Sequence, residues 1–186
     1  LGINAIDHMA RLILALEADH ALLADHPHPF LGPATGNVGI IKGGVQVNFV
    51  PDSCVIEIDR RLLPGEKVDA VLSRYQGLID VLKVRHPGFA ATMEIPPMLV
   101  DEALETATDS HAAQVAAAVL RDLGLSGEPV GVPYGSDASK LSRQGVPSLV
   151  FGPGCIDRAH AAVEYVETDQ VLQAFEFFCS FIRRFE

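Results

Sequence analysis

The stretch Gly145–Glu167, GVPSLVFGPGCIDRAHAAVEYVE, decides how this chain is read. An apolar run, Val146 to Phe151, empties into a Gly152-Pro153-Gly154 turn, and a short polar loop with His160 follows. A rigid strand, a glycine turn at its carboxyl end and a functional loop is how α/β enzymes deliver a reactive side chain. His160 therefore stands as a metal ligand, a catalytic base or an ordinary loop histidine. Glu164 and Glu167 either orient that loop or are solvated; Glu167 precedes the last helix, where a carboxylate is favourable in any case.

Working outward, residues 98–186 read as helix, strand, helix, strand, helix, an α/β pattern. Ser110 to Leu123 is an alanine-rich helix closed by Gly124. Val130 to Tyr134 reads as a short strand leading into Gly135-Ser136-Asp137, followed by one helical turn over residues 138–144. Thr168 reads as the cap of a last helix whose Val171, Leu172, Phe175, Phe178 and Ile182 form a wide apolar stripe.

Residues 1–97 read differently. Residues 4–24 carry Ile6, Met9, Ile13, Leu16 and Leu23 at helical spacing, with Asn4 as N-cap. Pro27, Pro29, Gly32 and Pro33 break that helix. Thr35 to Phe49 reads as a hairpin turning at Gly43-Gly44, with Val45, Val47 and Phe49 on one dry face. Cys54 to Asp59 is a second strand, ending at Arg60-Arg61 and the Pro64-Gly65 turn. A helix over residues 66–85 and a short strand from Phe89 to Ile95 complete the order α, β, β, α, β. One further strand in front would make a βαββαβ ferredoxin-like sandwich. The missing strand, and a start at Leu1 almost inside a helix, predict that the natural chain begins upstream. A domain boundary is expected near Pro96-Pro97.

Composition narrows the function classes. The 186 residues carry 14 basic and 24 acidic side chains, a formal net charge of -10. That balance disfavours nucleic acid and anionic membranes as partners, since both require basic patches. No apolar stretch approaches the roughly 20 residues that span a bilayer. The three cysteines, Cys54, Cys155 and Cys179, are widely spaced with no CxxC pair. A disulfide framework or cysteine zinc site is thus not expected, and a cytoplasmic location is.

Several other residue groups invite chemistry. Gly135-Ser136-Asp137-Ala138-Ser139-Lys140 suggests a serine nucleophile, but there is no GxSxG elbow and no SxxK spacing. The same turn presents backbone N–H groups and a carboxylate to a ligand, or merely caps the next helix. Arg60-Arg61 offers bidentate forks for a carboxylate, or an exposed pair. Asn48 interrupts an apolar run before Pro51, which turn chemistry also explains. His26 and His28 fall in a proline-rich loop. His8, His20, His86 and His111 are expected at surface positions on helices or their ends. A catalytic zinc site takes about three protein ligands, and no second histidine lies near His160 in sequence.

The order of these segments carries more than any one of them. Asn48-Phe49-Val50-Pro51-Asp52, then Asp59-Arg60-Arg61-Leu62-Leu63-Pro64-Gly65, then Gly135-Ser136-Asp137-Ala138, then Gly152-Pro153-Gly154 with Ala159-His160 and Glu164, together resemble one family. It is the zinc-dependent metallopeptidase and amidohydrolase family of acetylornithine deacetylase, succinyl-diaminopimelate desuccinylase and carboxypeptidase G. The resemblance covers nearly the whole chain. It implies that residues 1–97 are a ferredoxin-like lid, or dimerisation, domain lacking its first strand. Residues 98–186 would be the closing segment of an α/β zinc-hydrolase catalytic domain.

The same resemblance implies a residue set. His160 becomes the last ligand of a two-zinc site, with cobalt or manganese as alternatives. Asn48 and Arg61 become substrate-carboxylate contacts. Gly135, Ser136 and Asp137, with Gly152, Pro153 and Gly154, would line the substrate pocket. The family's remaining metal ligands and its general base belong to an N-terminal half whose motifs are not in these residues. The implied reaction is hydrolysis of an amide in an N-acyl amino acid or small peptide. Such hydrolysis needs an activated water and stabilisation of the tetrahedral oxyanion. One histidine cannot hold two metals, so the chain alone is expected to be inactive. A homodimer through the lid is also implied. The competing expectations are a non-catalytic dimerisation or binding module and, more distantly, an α/β hydrolase using Ser136.

Overall fold

The computed structural model describes residues 2–185. Its elements are α1 (Ala5–Ala21), β1 (Thr35–Gly43), β2 (Cys54–Arg61), α2 (Val68–Arg85), α3 (His111–Asp122), α4 (Ala138–Arg143) and α5 (Thr168–Arg184), with 3₁₀ turns at Leu22–Asp25 and Ile156–Arg158. The chain divides into two compact units, Leu1–Ala103 and Leu104–Glu186. The class is mixed α/β, with one small two-stranded sheet among the described residues.

In the first unit, α1 starts where the sequence requires. Asn4 Oδ1 accepts from the N–H groups of Ile6 at 3.0 Å and Asp7 at 3.2 Å, which satisfies two of the helix's orphan donors. β1 and β2 pair antiparallel, from Thr35 opposite Arg61 to Gly43 opposite Cys54. The register slips between Val38 and Ile40, so Gly39 is the extra residue of a bulge. Leu12 and Leu16 of α1 meet Tyr75, Ile79 and Leu82 of α2 and Phe89 in a buried cluster, and Val38, Ile56 and Ile58 close it from the sheet. Two helices therefore cover one face of a hairpin. Leu16 is fully enclosed, a burial that stabilises by roughly 1.5–3 kcal/mol.

The second unit is built on α3 against α5. Ser110 Oγ caps α3 by accepting from Ala113 N–H at 3.3 Å. Ala116 and Val119 pack on Phe177, with Phe151 and Phe181 around them. The Phe151 and Phe177 ring centroids lie 3.9 Å apart. Arg184 of α5 reaches Asp122 at the end of α3, 2.6 Å away.

Val45, Val47 and Phe49 form no strand; they are exposed in the loop that joins β1 to β2. Gly44, at φ 72°, does turn the chain, but into that loop and not into a tight hairpin. Phe89–Ile95, Val130–Tyr134 and Val146–Phe151 are not strands either. A strand is defined by a ladder to a neighbour, and among the described residues these segments have none. Val146–Phe151 is nonetheless anchored, since Thr106 Oγ1 donates to the Ser148 carbonyl at 2.5 Å and Phe151 enters the second core. On α5 the buried face is Ala174 and Phe177, with Phe181 packed beside them, whereas Val171, Leu172, Phe175, Phe178 and Ile182 are all exposed. The helix is apolar on more than one side, so periodicity alone does not single out the buried stripe. Its N-cap is Glu167, without a side-chain cap bond, and Thr168 is its first residue.

Candidate functional site

The GPG–histidine loop is fastened to its surroundings at three points. Gly154, at φ 97°, donates its N–H to Gln170 Oε1 on α5 at 2.8 Å. The Arg158 guanidinium lies 5.0 Å above the Tyr165 ring, within cation–π range. His160 donates its backbone N–H to Glu164 Oε2 at 3.1 Å. Glu164 thus orients the histidine loop through the backbone. His160 has φ 60°, a left-handed conformation otherwise occupied only by glycines among the described residues. Such a conformation persists in a non-glycine residue only when its surroundings enforce it, and such residues concentrate at functional sites. Its ring is exposed. Gln170, Arg158 and Tyr165 are not legible as loop partners in the sequence, because each lies on a segment that reads as ordinary helix or loop.

At the other turn, Ser136 Oγ accepts from Ala138 N–H at 3.2 Å, and its carbonyl accepts from Ser139 Oγ at 3.0 Å. The hydroxyl thereby accepts from the first residue of α4 in a local turn. Asp137 is fully exposed and pairs with Lys140 at 2.7 Å, whose hydrogen bond and charge hold the carboxyl below its usual range. Gly135 is exposed ahead of them.

In the first unit, strand parity separates the two arginines. Arg61 shares the open face of β2 with Asp59, and its Nε donates to Asp59 Oδ2 at 2.9 Å. Arg60 faces the helices, with its side chain only 10% exposed, and pairs with Glu66 at 2.5 Å. Asn48 is exposed in a turn closed by Phe49 N–H on the Gln46 carbonyl at 3.1 Å.

A further polar cluster lies behind β1. His20 Nε2 and Tyr75 Oη are 2.7 Å apart, and the buried Asp19 pairs with Arg74 at 2.5 Å. The His20 ring lies so close to Gly36 that a Cβ there would come within 2.4 Å of it. His20 is therefore no surface histidine. Burial lowers its pKa, and burial pushes the Tyr75 phenol up to about 12.

Residues 1–87 match the family described as the peptidase dimerisation domain. The chain is 28% identical to acetylornithine deacetylase of Myxococcus xanthus over 173 residues, covering 92% of this chain and 41% of that protein. It is 31% identical to acetylornithine deacetylase of Vibrio campbellii over 172 residues, 91% of this chain and 43% of that protein.

The dimerisation-domain match and these relatives support the M20 metallopeptidase family.

Two solved structures share the fold. Aminopeptidase PepT from Bacillus cereus aligns with TM-score 0.74 at 22% identity, over 99% of this chain and 46% of that one. A tripeptidase from Staphylococcus aureus aligns with TM-score 0.63 at 20% identity, over 99% and 45%. The chain spans less than half the length of the curated relatives it matches.

M20 enzymes are in general metal-dependent, which makes the donor set the thing to test. Among the described residues, no group of three or more histidine, cysteine, aspartate or glutamate side chains is placed to hold a metal ion. The three cysteines are all free. His160 is an exposed imidazole suited to one coordination position. This donor set does not fit a complete metal centre. Among the described residues, no helix is long and apolar enough to cross a membrane.

Proposed function

We propose that this chain is the dimerisation domain and closing catalytic segment of an amidohydrolase that cleaves an N-acyl amino acid or small peptide, acetylornithine deacetylase-like. The observation that carries the reading is His160, an exposed imidazole in a left-handed conformation inside a loop tied down at Gly154, Arg158 and its own amide. Pre-organisation of that kind suits a ligand that must meet a metal in one geometry. An ordinary loop histidine has no need of it.

In this reading His160 supplies one ligand to a two-zinc centre whose other ligands and general base lie outside these residues. Arg61, on the open face of β2, offers a planar fork to the substrate carboxylate, with Asn48 as a second contact. The turns at Gly135–Asp137 and Gly152–Gly154 line the pocket. The first unit pairs two copies into a homodimer, and the setting is the cytoplasm.

The test is made on the full-length protein and on this chain alone. The full-length protein is expected to bind two zinc ions and release acetate from N-acetyl-L-ornithine or a close N-acyl amino acid. The isolated chain is expected to do neither. Turnover by the isolated chain would sink the assignment of roles. A full-length protein that dimerises but neither binds metal nor hydrolyses any N-acyl amino acid would leave the non-catalytic module as the function.

A further inference from the structure

The turn after β2 holds a carboxylate that the site so far leaves unused. Glu66 uses both oxygens: Oε1 accepts from the Arg60 guanidinium at 2.5 Å and Oε2 from the Leu63 N–H at 2.7 Å. The Arg60 guanidinium also donates to the carbonyl of Arg61. Gly65, at φ 85°, makes the reversal that brings Glu66 back under the strand, and Glu66 N–H closes it on the Leu63 carbonyl at 3.1 Å. One carboxylate and one largely buried guanidinium therefore tie the last residue of β2 to the turn that follows it. Charge-assisted bonds of this kind are short and directional, and each partner loses its counter-charge if the other is removed.

The consequence falls on Arg61. Its side chain lies on the opposite face of the strand from Arg60, yet its backbone is held by the Arg60 guanidinium. On the open face Asp59 engages its Nε, which leaves the Nη edge of the fork to present to a ligand. A long side chain presents that edge in one direction only if its backbone is fixed.

We propose that Arg60 and Glu66 are a positioning pair that holds the end of β2 so that Arg61 is aimed at the substrate carboxylate. Neither residue touches the substrate. The inference rests on the reading of Arg61 given under the proposed function.

The test is a double-mutant cycle in the full-length enzyme with N-acetyl-L-ornithine. Glu66→Gln keeps the shape and removes the charge. It is expected to raise KM about tenfold while kcat stays within about twofold, the signature of lost substrate binding. Arg61→Lys is expected to raise KM at least as much. The double variant is expected to be no worse than Arg61→Lys alone, because Glu66 acts through Arg61. Effects that multiply in the double variant would overturn the positioning role and leave the Arg61 contact standing. An Arg61→Lys enzyme with unchanged KM would overturn both. Where Glu66→Gln lowers the folded yield, Glu66→Asp, which keeps the charge and shortens the reach, replaces it in the cycle. A double variant no worse than Arg61→Lys again supports the positioning role, and multiplying effects again overturn it.

Discussion

The amide of His160 is bonded to the carboxylate of Glu164 at 3.1 Å while the His160 backbone stands at φ 60°. The carboxylate does not touch the imidazole; it holds the peptide that carries it. A left-handed conformation costs a non-glycine residue about 1–2 kcal/mol. His160→Gly in the isolated chain is accordingly expected to keep the unit's stability or raise it by up to about 1 kcal/mol. Glu164→Ala is expected to speed exchange of the His160 amide, since the acceptor is gone. Thermal melting and hydrogen exchange followed by NMR read both. A clear loss of stability in His160→Gly would mean that the conformation is not strained.

Gly36 is a packing requirement. With a Cβ falling 2.4 Å from the His20 ring, Gly36→Ala must displace either the ring or the strand. The expected cost is about 1–3 kcal/mol, the range for forced overpacking. Urea denaturation measures it, and a neutral result would show that His20 moves aside freely.

His20 gives the first unit a pH dependence with a definite sign. Burial is the chief cause of its lowered pKa, opposed by the Asp19 charge and the Gly36 backbone and reinforced by the Arg60 and Arg74 charges. The unfolded chain therefore binds a proton at its ordinary value of 6.5, before the folded one does. The neutral ring's contribution is complete above that value and is lost as pH falls below it. Melting temperature is expected to drop on acidification from about pH 8 to about pH 5, and to drop less in His20→Gln. Equal slopes in the two proteins would remove His20 as the cause.

Tyr75 acts at the other end of the scale. Its phenol, raised from 10.0 to about 12 chiefly by burial, stays protonated in the folded state after an unfolded tyrosine has ionised. Stability is retained below pH 10.0 and lost as pH rises toward about 12. Ultraviolet titration is expected to show one phenolate appearing late or together with unfolding, and Tyr75→Phe is expected to abolish that step. A Tyr75 that ionises near its ordinary value of 10.0 with the fold intact would contradict it.

How far the sequence reveals this chain depends on whether the deciding interaction is local. Asn4 is readable as a cap because its cap bonds span two or three residues, whereas Thr168 reads as a cap and is the first residue of its helix. The turn at Gly65 and the loop around His160 are placed by glycine and proline signals. Strands are not settled by pattern. Val146–Phe151 has the composition of a buried strand, but a ladder needs a neighbour, and none stands beside it among the described residues. Val45, Val47 and Phe49 alternate as a strand would and are solvated in a loop. In the site, the order of the motifs points to Arg61; that Arg61 lies on the open face while Arg60 turns to the helices follows from the alternation of β2 and the packing of Ile56 and Ile58 on the core. The bond from Glu66 back to Arg60 needs the fold of the turn, although a glutamate directly after Pro64-Gly65 is visible in the sequence. His20 reads as a surface residue because its partner, Tyr75, lies on another helix far along the chain.

The central claim is that His160 is a metal ligand in an enzyme completed by residues outside this chain. The most direct measurement is zinc content by mass spectrometry on the purified full-length protein and its His160→Ala variant, alongside the melting temperature of each. Two zinc ions per wild-type chain, a loss of at least one in His160→Ala and an unchanged fold are the predicted result. Equal zinc content in the two proteins would contradict it.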